Sequence, residues 1–454
     1  MEMTPTARLA AWCATTPHSW PEPAREAVRR AFVDTIATIL AGRHEPCTVA
    51  AREAVAQWGT GPCFTAGGTR LAAPWAALVN GTAAHALDYD DVQEPALNHP
   101  SAGLVPALLA LAEATGKSAD ACIDAYIVGF EVMARLGAAM NQIHYQRGWH
   151  TTLSLGSPAI AAACARMMGL DAEKTAMAIS LATSMAGGSK RQFGTMAKPL
   201  HAGLAAKNGL VAAQLAASGL EAIAEPLDGR WGYQEMMAGE TAPGLAHLVA
   251  DLGGECAVLR HGIWAKYYPC CASTHRPVDA LLSLKLRPEE VIRVETLVSE
   301  IAVANLRYRV PASVAEARFS LPYCLAAALH DGPLTPRSFT PEAIARPQVL
   351  DVLNRTEMQL DPAQPASRAI ADAVETGIVR VFLKDGSVRE ARSVTPHGHP
   401  RDPLTSTELG NKFLACAEAG GMAPQAADEA LGLLARFASL NSPAALMALL
   451  EQGQ

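Results

Sequence analysis

Segment 85–101 carries two histidines, His85 and His99, and four carboxylates, Asp88, Asp90, Asp91 and Glu94. Only 18% of the chain is charged, and the flanks of this segment (Ala83, Ala84, 102–105) are apolar. Carboxylates and imidazoles gathered in an apolar setting are the groups that move protons, because burial shifts their pKa values toward the working range of an acid or base. Four further polar islands follow: 148–152 with His150, 190–203 with Lys190, Arg191, Lys198 and His201, 266–276 with Lys266, His275 and Arg276, and 318–323 with Arg318 and Tyr323. Each sets a His, Lys, Arg or Tyr at the edge of an apolar helix, an arrangement suited to holding a small anion. Plainer roles compete with this one. Asp90 and Asp91 read equally well as a helix N-cap and first turn, where carboxylates complement the macrodipole. Lys198-Pro199 reads as a helix start, and Lys207 as a surface or dimer-facing cation.

Asp88, Asp90, His99 and His150 are also metal-ligand types. No H-E-x-x-H, C-x-x-C or EF-hand spacing accompanies them, and adjacent Cys270 and Cys271 are poorly placed for one tetrahedral ion. No bound metal or other cofactor is therefore expected, and a metal-dependent hydrolase on those four residues stands as the alternative. There is no G-x-S-x-G elbow, G-x-G-x-x-G fingerprint or Walker loop.

The elements that must position these groups are mainly helices. Pro21 and Pro23 open a helix carrying Val28, Phe32, Ile36 and Ile39 at helical spacing, with Gly42 as its C′ residue. Further helices are predicted over 104–115, 118–139, 157–168, 172–186 and 198–218. After about residue 262 the pattern changes. A β-branched run over 294–304 reads as strand-like, and 377–394 reads as a hairpin turning at Asp385-Gly386. Helices are predicted over 320–329 and 340–346, and a Pro/Gly-rich connector over 395–403 leads to final helices over 406–450. The division is a helical part at 1–262, an α+β part at 263–403, and a C-terminal helical return at 404–454.

Half of the 454 residues are hydrophobic but only 5% are aromatic, so the core must be filled by small and aliphatic side chains. A net charge of −7 without a basic run argues against a nucleic-acid partner. No apolar stretch suits a membrane span, and Glu2 with no apolar run behind it argues against a secretory signal. Ten cysteines at irregular spacing fit reduced core thiols and a cytoplasmic protein.

Taken in order, seven stretches resemble the MmgE/PrpD family: 85–91, 99–101, 148–150, 193–203, 266–271, 317–323 and 402–405. They span nearly the whole chain. The resemblance implies a mainly α fold in which both chain ends build a large helical domain around an inserted, smaller α+β domain. It further implies a homodimer and catalysis without metal, iron–sulfur cluster or organic cofactor. The family's activities include 2-methylcitrate dehydratase, cis-aconitate decarboxylase and iminodisuccinate epimerase, which share a carbanion-like centre beside a carboxylate. The implied function is a lyase or isomerase taking a proton α to a carboxylate of a small di- or tricarboxylate, with dehydration, decarboxylation and epimerisation left open. Asp88, His99, His150, Lys198, Lys266 and Tyr323 fall on positions resembling active-site residues of the decarboxylase branch. His99 and His150 are the expected proton-transfer groups, and Asp88 orients one of them or serves as a base. Lys198, Lys266 and Arg191 would clamp carboxylates, with His275 and Tyr323 as further substrate contacts. Val92 lies near a position where that branch has a hydroxyl residue, and Cys271 stands where it has a histidine. A non-catalytic helical binding protein would explain the Ala-rich helices but not the cationic islands.

Overall fold

The structure is a computed structural model that describes residues 3–140, 143–240, 242, 245–364 and 375–452. Eleven helices lead the chain: α1 (Pro5–Thr15), α2 (Glu22–Gly42), α3 (Pro46–Val55), α4 (Ala73–His85), α5 (Pro100–Thr115), α6 (Ala119–Met140), α7 (Ile143–Gln146), α8 (Thr151–Ser154), α9 (Gly156–Met168), α10 (Ala172–Thr183) and α11 (Ala197–Ala217). Prolines open many of them because the first helical turn needs no N–H there. Small side chains then let the helices approach closely. A Cβ on Gly42 would sit 2.0 Å from the Ala83 carbonyl oxygen, so that glycine is required by the contact between α2 and α4. The expected C′ role is corrected, since Gly42 is the last helical residue and Arg43 follows it in right-handed conformation.

The first core draws on both ends of the chain. Phe32 of α2 packs on Phe437 with ring centroids 4.6 Å apart, and Leu9, Tyr126, Phe130 and Phe413 are buried in the same cluster. The C-terminal helix Ser406–Ala419 lies along α2, so the last part of the chain packs on the first. Burying a phenyl ring of this kind contributes roughly 1.5–3 kcal/mol.

A second core, from Tyr268 to Leu383 with Phe193 joining it, sits against a four-stranded mixed sheet. After a short early strand β1 (Thr60–Cys63), the sheet comprises β2 (Val291–Val298), β3 (Thr356–Leu360), β4 (Gly377–Leu383) and β5 (Val388–Ser393) in the order β3-β2-β4-β5. β2 and β3 are parallel, and the other pairs are antiparallel. Along β4 every second residue is buried, the period-2 pattern of a sheet covered on one face. Asp385-Gly386 forms the hairpin turn, with Gly386 at φ 84° and the Asp385 side chain accepting from the Ser387 N–H. The strand-like run over 294–304 stops at Val298. Ser299 caps a helix, Glu300–Asn305, by accepting from the Ala302 N–H, and that local bond outweighs the β-branched residues beyond it. All ten cysteines are buried and free. Among the described residues no helix is long and apolar enough to cross a membrane.

Candidate active site

Helices α4 and α11 cross where two glycines meet. A Cβ on Gly203 would lie 2.1 Å from the Leu78 carbonyl oxygen, and one on Gly81 would lie 2.8 Å from the Gly203 Cα. One turn beyond the crossing, α4 ends in His85. The first turns of α11 carry Lys198 and His201 back toward it. The connection between α4 and α5 then folds over this junction. Asp88 takes φ 52°, a left-handed conformation that aspartate tolerates better than most residues.

That backbone twist delivers Asp88 to two ammonium groups. Lys198 Nζ lies 2.5 Å from Asp88 Oδ1. Lys266 Nζ lies 3.4 Å from the same oxygen and donates to the Asp88 carbonyl at 2.7 Å. All three side chains are buried. Burial would raise the Asp88 carboxyl, but the two lysines outweigh it and hold the group well below the ordinary carboxylate range. Burial would likewise lower Lys266, yet Asp88 and Asp90 raise it above its ordinary value. Behind them Lys412, from the Ser406–Ala419 helix, donates to the carbonyls of Tyr89 (2.9 Å) and Lys266 (2.8 Å) and pairs with Asp34 at 2.6 Å.

Three imidazoles complete the cluster. His99, the N-cap residue of α5, directs Nδ1 to the Asp91 carbonyl at 2.9 Å. A carbonyl can only accept, so Nδ1 carries the proton and Nε2 is left as the basic nitrogen. That Nε2 lies 3.9 Å from Asp88 Oδ1. His85 directs Nδ1 to the Asp90 carboxylate at 2.8 Å, and its Nε2 is buried without a hydrogen-bond partner. His150 shares one proton with His201 across a 2.8 Å Nδ1–Nδ1 contact, and its Nε2 is also buried and unpartnered. Burial holds His99 and His150 well below the usual histidine range, with Lys198 adding to it at both rings and Lys266 at His99, so both rings are neutral at pH 7. Asp91 differs from its neighbours. Burial pushes its carboxyl up to about 8, against hydrogen bonds from the Ser101 N–H and hydroxyl.

A cavity opens in front of these groups, where the α4–α5 connection meets the helix Ala272–Ser283. Asp88, His99, His150 and Lys198 line it together with Val92, and Lys266 stands behind Asp88. Five residues singled out in the sequence, far apart in the chain, are thus within one site.

The MmgE/PrpD N-terminal domain model matches residues 7–246 and the MmgE/PrpD C-terminal domain model matches residues 268–434. The chain belongs to the MmgE/PrpD family. It is 34% identical over 362 residues to a human protein named cis-aconitate decarboxylase, covering 77% of this chain and 73% of the relative. The mouse protein of that name is 33% identical over 361 residues, covering 77% and 72%. One from Aspergillus terreus is 28% identical over 382 residues, covering 78% and 76%. Family and relatives together mark this MmgE/PrpD chain as a lyase-type enzyme.

Three expected contacts of the MmgE/PrpD site lie elsewhere. Arg191 is exposed, because the short 3-10 turn Lys190–Gln192 directs it outward. Tyr323 is fully buried in the second core, where its hydroxyl donates to the Ser338 carbonyl. His275 turns inward on its helix, and its Nε2 accepts from the Tyr268 N–H at 3.2 Å. None of the three lines the cavity. Asp90 and Asp91 are also not the N-cap pair that the pattern suggested. They precede α5 by ten and nine residues, and Asp91 reaches forward to hold the Ser101 N–H. Conversely, Tyr145, Asn305, Arg276 and Glu375 line the cavity without having been selected. Arg276, held by Glu94 and Glu375, belonged to the 266–276 island but had been given no role there. Tyr145 and Asn305 sit on short helices that the periodicity does not reveal.

His85, His99 and His150 each offer a ligand atom, all within 4.8 Å of one another, as do His85, Asp88, Asp90 and His99. Their Nδ1 atoms are already engaged, a supporting pattern shared with metal-binding histidines. Against a cation, the ammonium groups of Lys198 and Lys266 lie at Asp88 within the same cluster.

Proposed function

We propose that this enzyme is a cofactor-independent lyase or isomerase that moves a proton α to a carboxylate of a small di- or tricarboxylate. The observation that carries this reading is the pairing of two neutral imidazoles, His99 and His150, with the buried Lys198–Asp88–Lys266 cluster on one cavity. A carbon acid beside a carboxylate is too weak for an unaided imidazole at neutral pH, so positive charge must meet the carboxylate that gathers electron density. Lys198 and Lys266 supply it, with Asp88 holding both ammonium groups in place. His99 Nε2 is the base, its tautomer set by the Asp91 carbonyl. His150 delivers or accepts the second proton, and His201 holds the ring. The similarity to proteins named cis-aconitate decarboxylase favours a tricarboxylate and a lyase reaction. The assembly we propose is a homodimer, checked by sedimentation.

The experiment is turnover by Lys198→Ala and His150→Ala on the substrate found for the wild type. Each is expected to fall at least about a hundredfold with the fold intact. Near-normal turnover in both would remove these residues from the mechanism. The histidine cluster favours one second reading, a metal-dependent hydrolase. It predicts stoichiometric divalent metal in the purified protein and loss of activity with chelator.

A further inference from the structure

The charges that line the cavity do not suit a polyanion as they stand. Three carboxylates, Asp88, Glu94 and Glu375, face it beside two cations, Lys198 and Arg276. Both cations are committed, Lys198 to Asp88 and Arg276 to Glu94 and Glu375. Lys266 is likewise held by Asp88. A second or third substrate carboxylate therefore needs a positive group that is not already matched.

Lys190 is such a group. Segments 148–150 and 188–190 run side by side. The His150 N–H donates to the Gly188 carbonyl at 2.9 Å, and the Lys190 N–H donates to the Gly148 carbonyl at 2.8 Å. This pairing sets Lys190 opposite Gly148, two positions before His150 on the facing segment. Its Nζ stands 3.4 Å from the ring centroid of Tyr145 and 5.9 Å from that of Phe193, and both rings line the cavity. Among the described residues no carboxylate lies within ion-pair distance of it. An ammonium resting on an aromatic face is held by the ring quadrupole and not by a charge-assisted hydrogen bond to a carboxylate. The cation rests against two rings of the cavity wall without itself being among the lining residues, so reaching a substrate carboxylate takes a swing of its side chain.

We propose that Lys190 is a specificity-determining residue that binds the substrate carboxylate farthest from Asp88, so that the site prefers tricarboxylates over dicarboxylates. This rests on the polycarboxylate reading above and adds to it the residue that counts carboxylates. Arg191, the cation that the sequence pattern favoured, points to solvent, and its neighbour takes the role.

Burial lowers the Lys190 ammonium to about 8, with Cys271 and Arg307 as the other titratable groups acting on it and Tyr145 beneath it. Tricarboxylate affinity should therefore weaken as pH rises past about 8, while a dicarboxylate that does not use Lys190 is less affected.

The test measures binding of tricarballylate and succinate, unreactive tri- and dicarboxylates, to the full-length wild type, Lys190→Met, Lys190→Arg and Lys198→Ala. Lys190→Met is expected to bind tricarballylate at least tenfold more weakly, to change succinate binding less than threefold, and to lose the weakening above pH 8. Lys190→Arg should recover most of the tricarballylate affinity, and Lys198→Ala should weaken both ligands. Wild-type binding of tricarballylate that Lys190→Met leaves within twofold overturns this inference alone. Equal weakening of both ligands by Lys190→Met overturns the selectivity. A wild type that binds neither overturns the polycarboxylate reading and this inference with it.

Discussion

Lys412 is more than two hundred residues from any other cation of the site except Lys266 and Arg276, yet its removal should be felt there. Its ammonium pairs with Asp34 of α2, a residue 1% exposed, and donates to the carbonyls of Tyr89 and Lys266, which flank Asp88 and carry the second lysine. Lys412→Met keeps the length of the stem and removes the charge. It leaves the Asp34 carboxylate buried without its cation, and breaking a buried pair in this way costs about 3–5 kcal/mol. Against a total stability of about 5–15 kcal/mol, the variant stays folded but is much less stable. The cost depends on pH with a definite sign. Burial already raises Asp34 in the native protein, against Lys412, and loss of Lys412 raises it further. A carboxyl with a raised native pKa favours the folded state below its unfolded value and loses that contribution as pH climbs through the native value. Urea unfolding followed by circular dichroism should therefore show a larger deficit at pH 8 than at pH 5.5. Adding Asp34→Asn to Lys412→Met should restore at least about 1 kcal/mol at pH 8, because the uncompensated charge is gone. A deficit equal at both pH values, or a double variant no more stable than the single one, would refute this account of the buried pair.

Other outcomes follow from the same geometry. Asp88→Asn strands two buried ammonium groups, so it should cost about 3–5 kcal/mol by urea unfolding and abolish turnover. Because Asp88 is held below its ordinary range, its contribution to wild-type stability is present above about pH 4 and is lost as pH falls further, which an acid titration of the denaturation midpoint would record. Asp91 has the opposite sign. With its carboxyl raised to about 8, wild-type stability should decline from about pH 4 to pH 8, and Asp91→Asn should flatten that slope in the same measurement. Phe437→Ala, which opens the contact with Phe32, should cost about 3–5 kcal/mol without changing KM. Val92, which lines the cavity and bridges by backbone to Trp264, should alter substrate preference when changed to Thr, read as the ratio of kcat/KM values for two carboxylates.

The mainly α character was legible because proline starts and helical spacing recur through the first part of the chain, and α2, α5, α6, α9 and α11 fall close to where that pattern puts them. The hairpin was legible from Asp385-Gly386. Strand β3 was not, since Thr356–Leu360 is a short, mostly exposed edge in which Met358 and Leu360 are the only apolar residues. For the candidate site, residue type pointed to groups that the fold brings together, while their orientation was not legible. Asp88, His99, His150, Lys198 and Lys266 meet because a pair of glycines lets α4 and α11 cross closely and because Asp88 adopts a positive φ. Neither fact can be read from spacing. Arg191 and Lys190 are adjacent in the chain and alike in charge, and a single short turn sends one outward and the other onto Tyr145. Tyr323 and His275 carry suitable groups, but their hydrogen bonds are already taken within the second core.

Solvent deuterium reports proton transfer at a carbon beside a carboxylate most directly. The wild type is incubated in deuterated water with a panel of small di- and tricarboxylates that includes cis-aconitate, and products and recovered substrate are examined by NMR. At least one substrate is expected to be converted or exchanged, with deuterium gained at the carbon next to a carboxylate or, for dehydration, a proton lost from it, and that transfer should disappear in Lys198→Ala and His150→Ala. Exchange, epimerisation, decarboxylation or hydration without deuterium at that carbon, a dehydration product that keeps every proton of that carbon, or incorporation unchanged in both variants would contradict it.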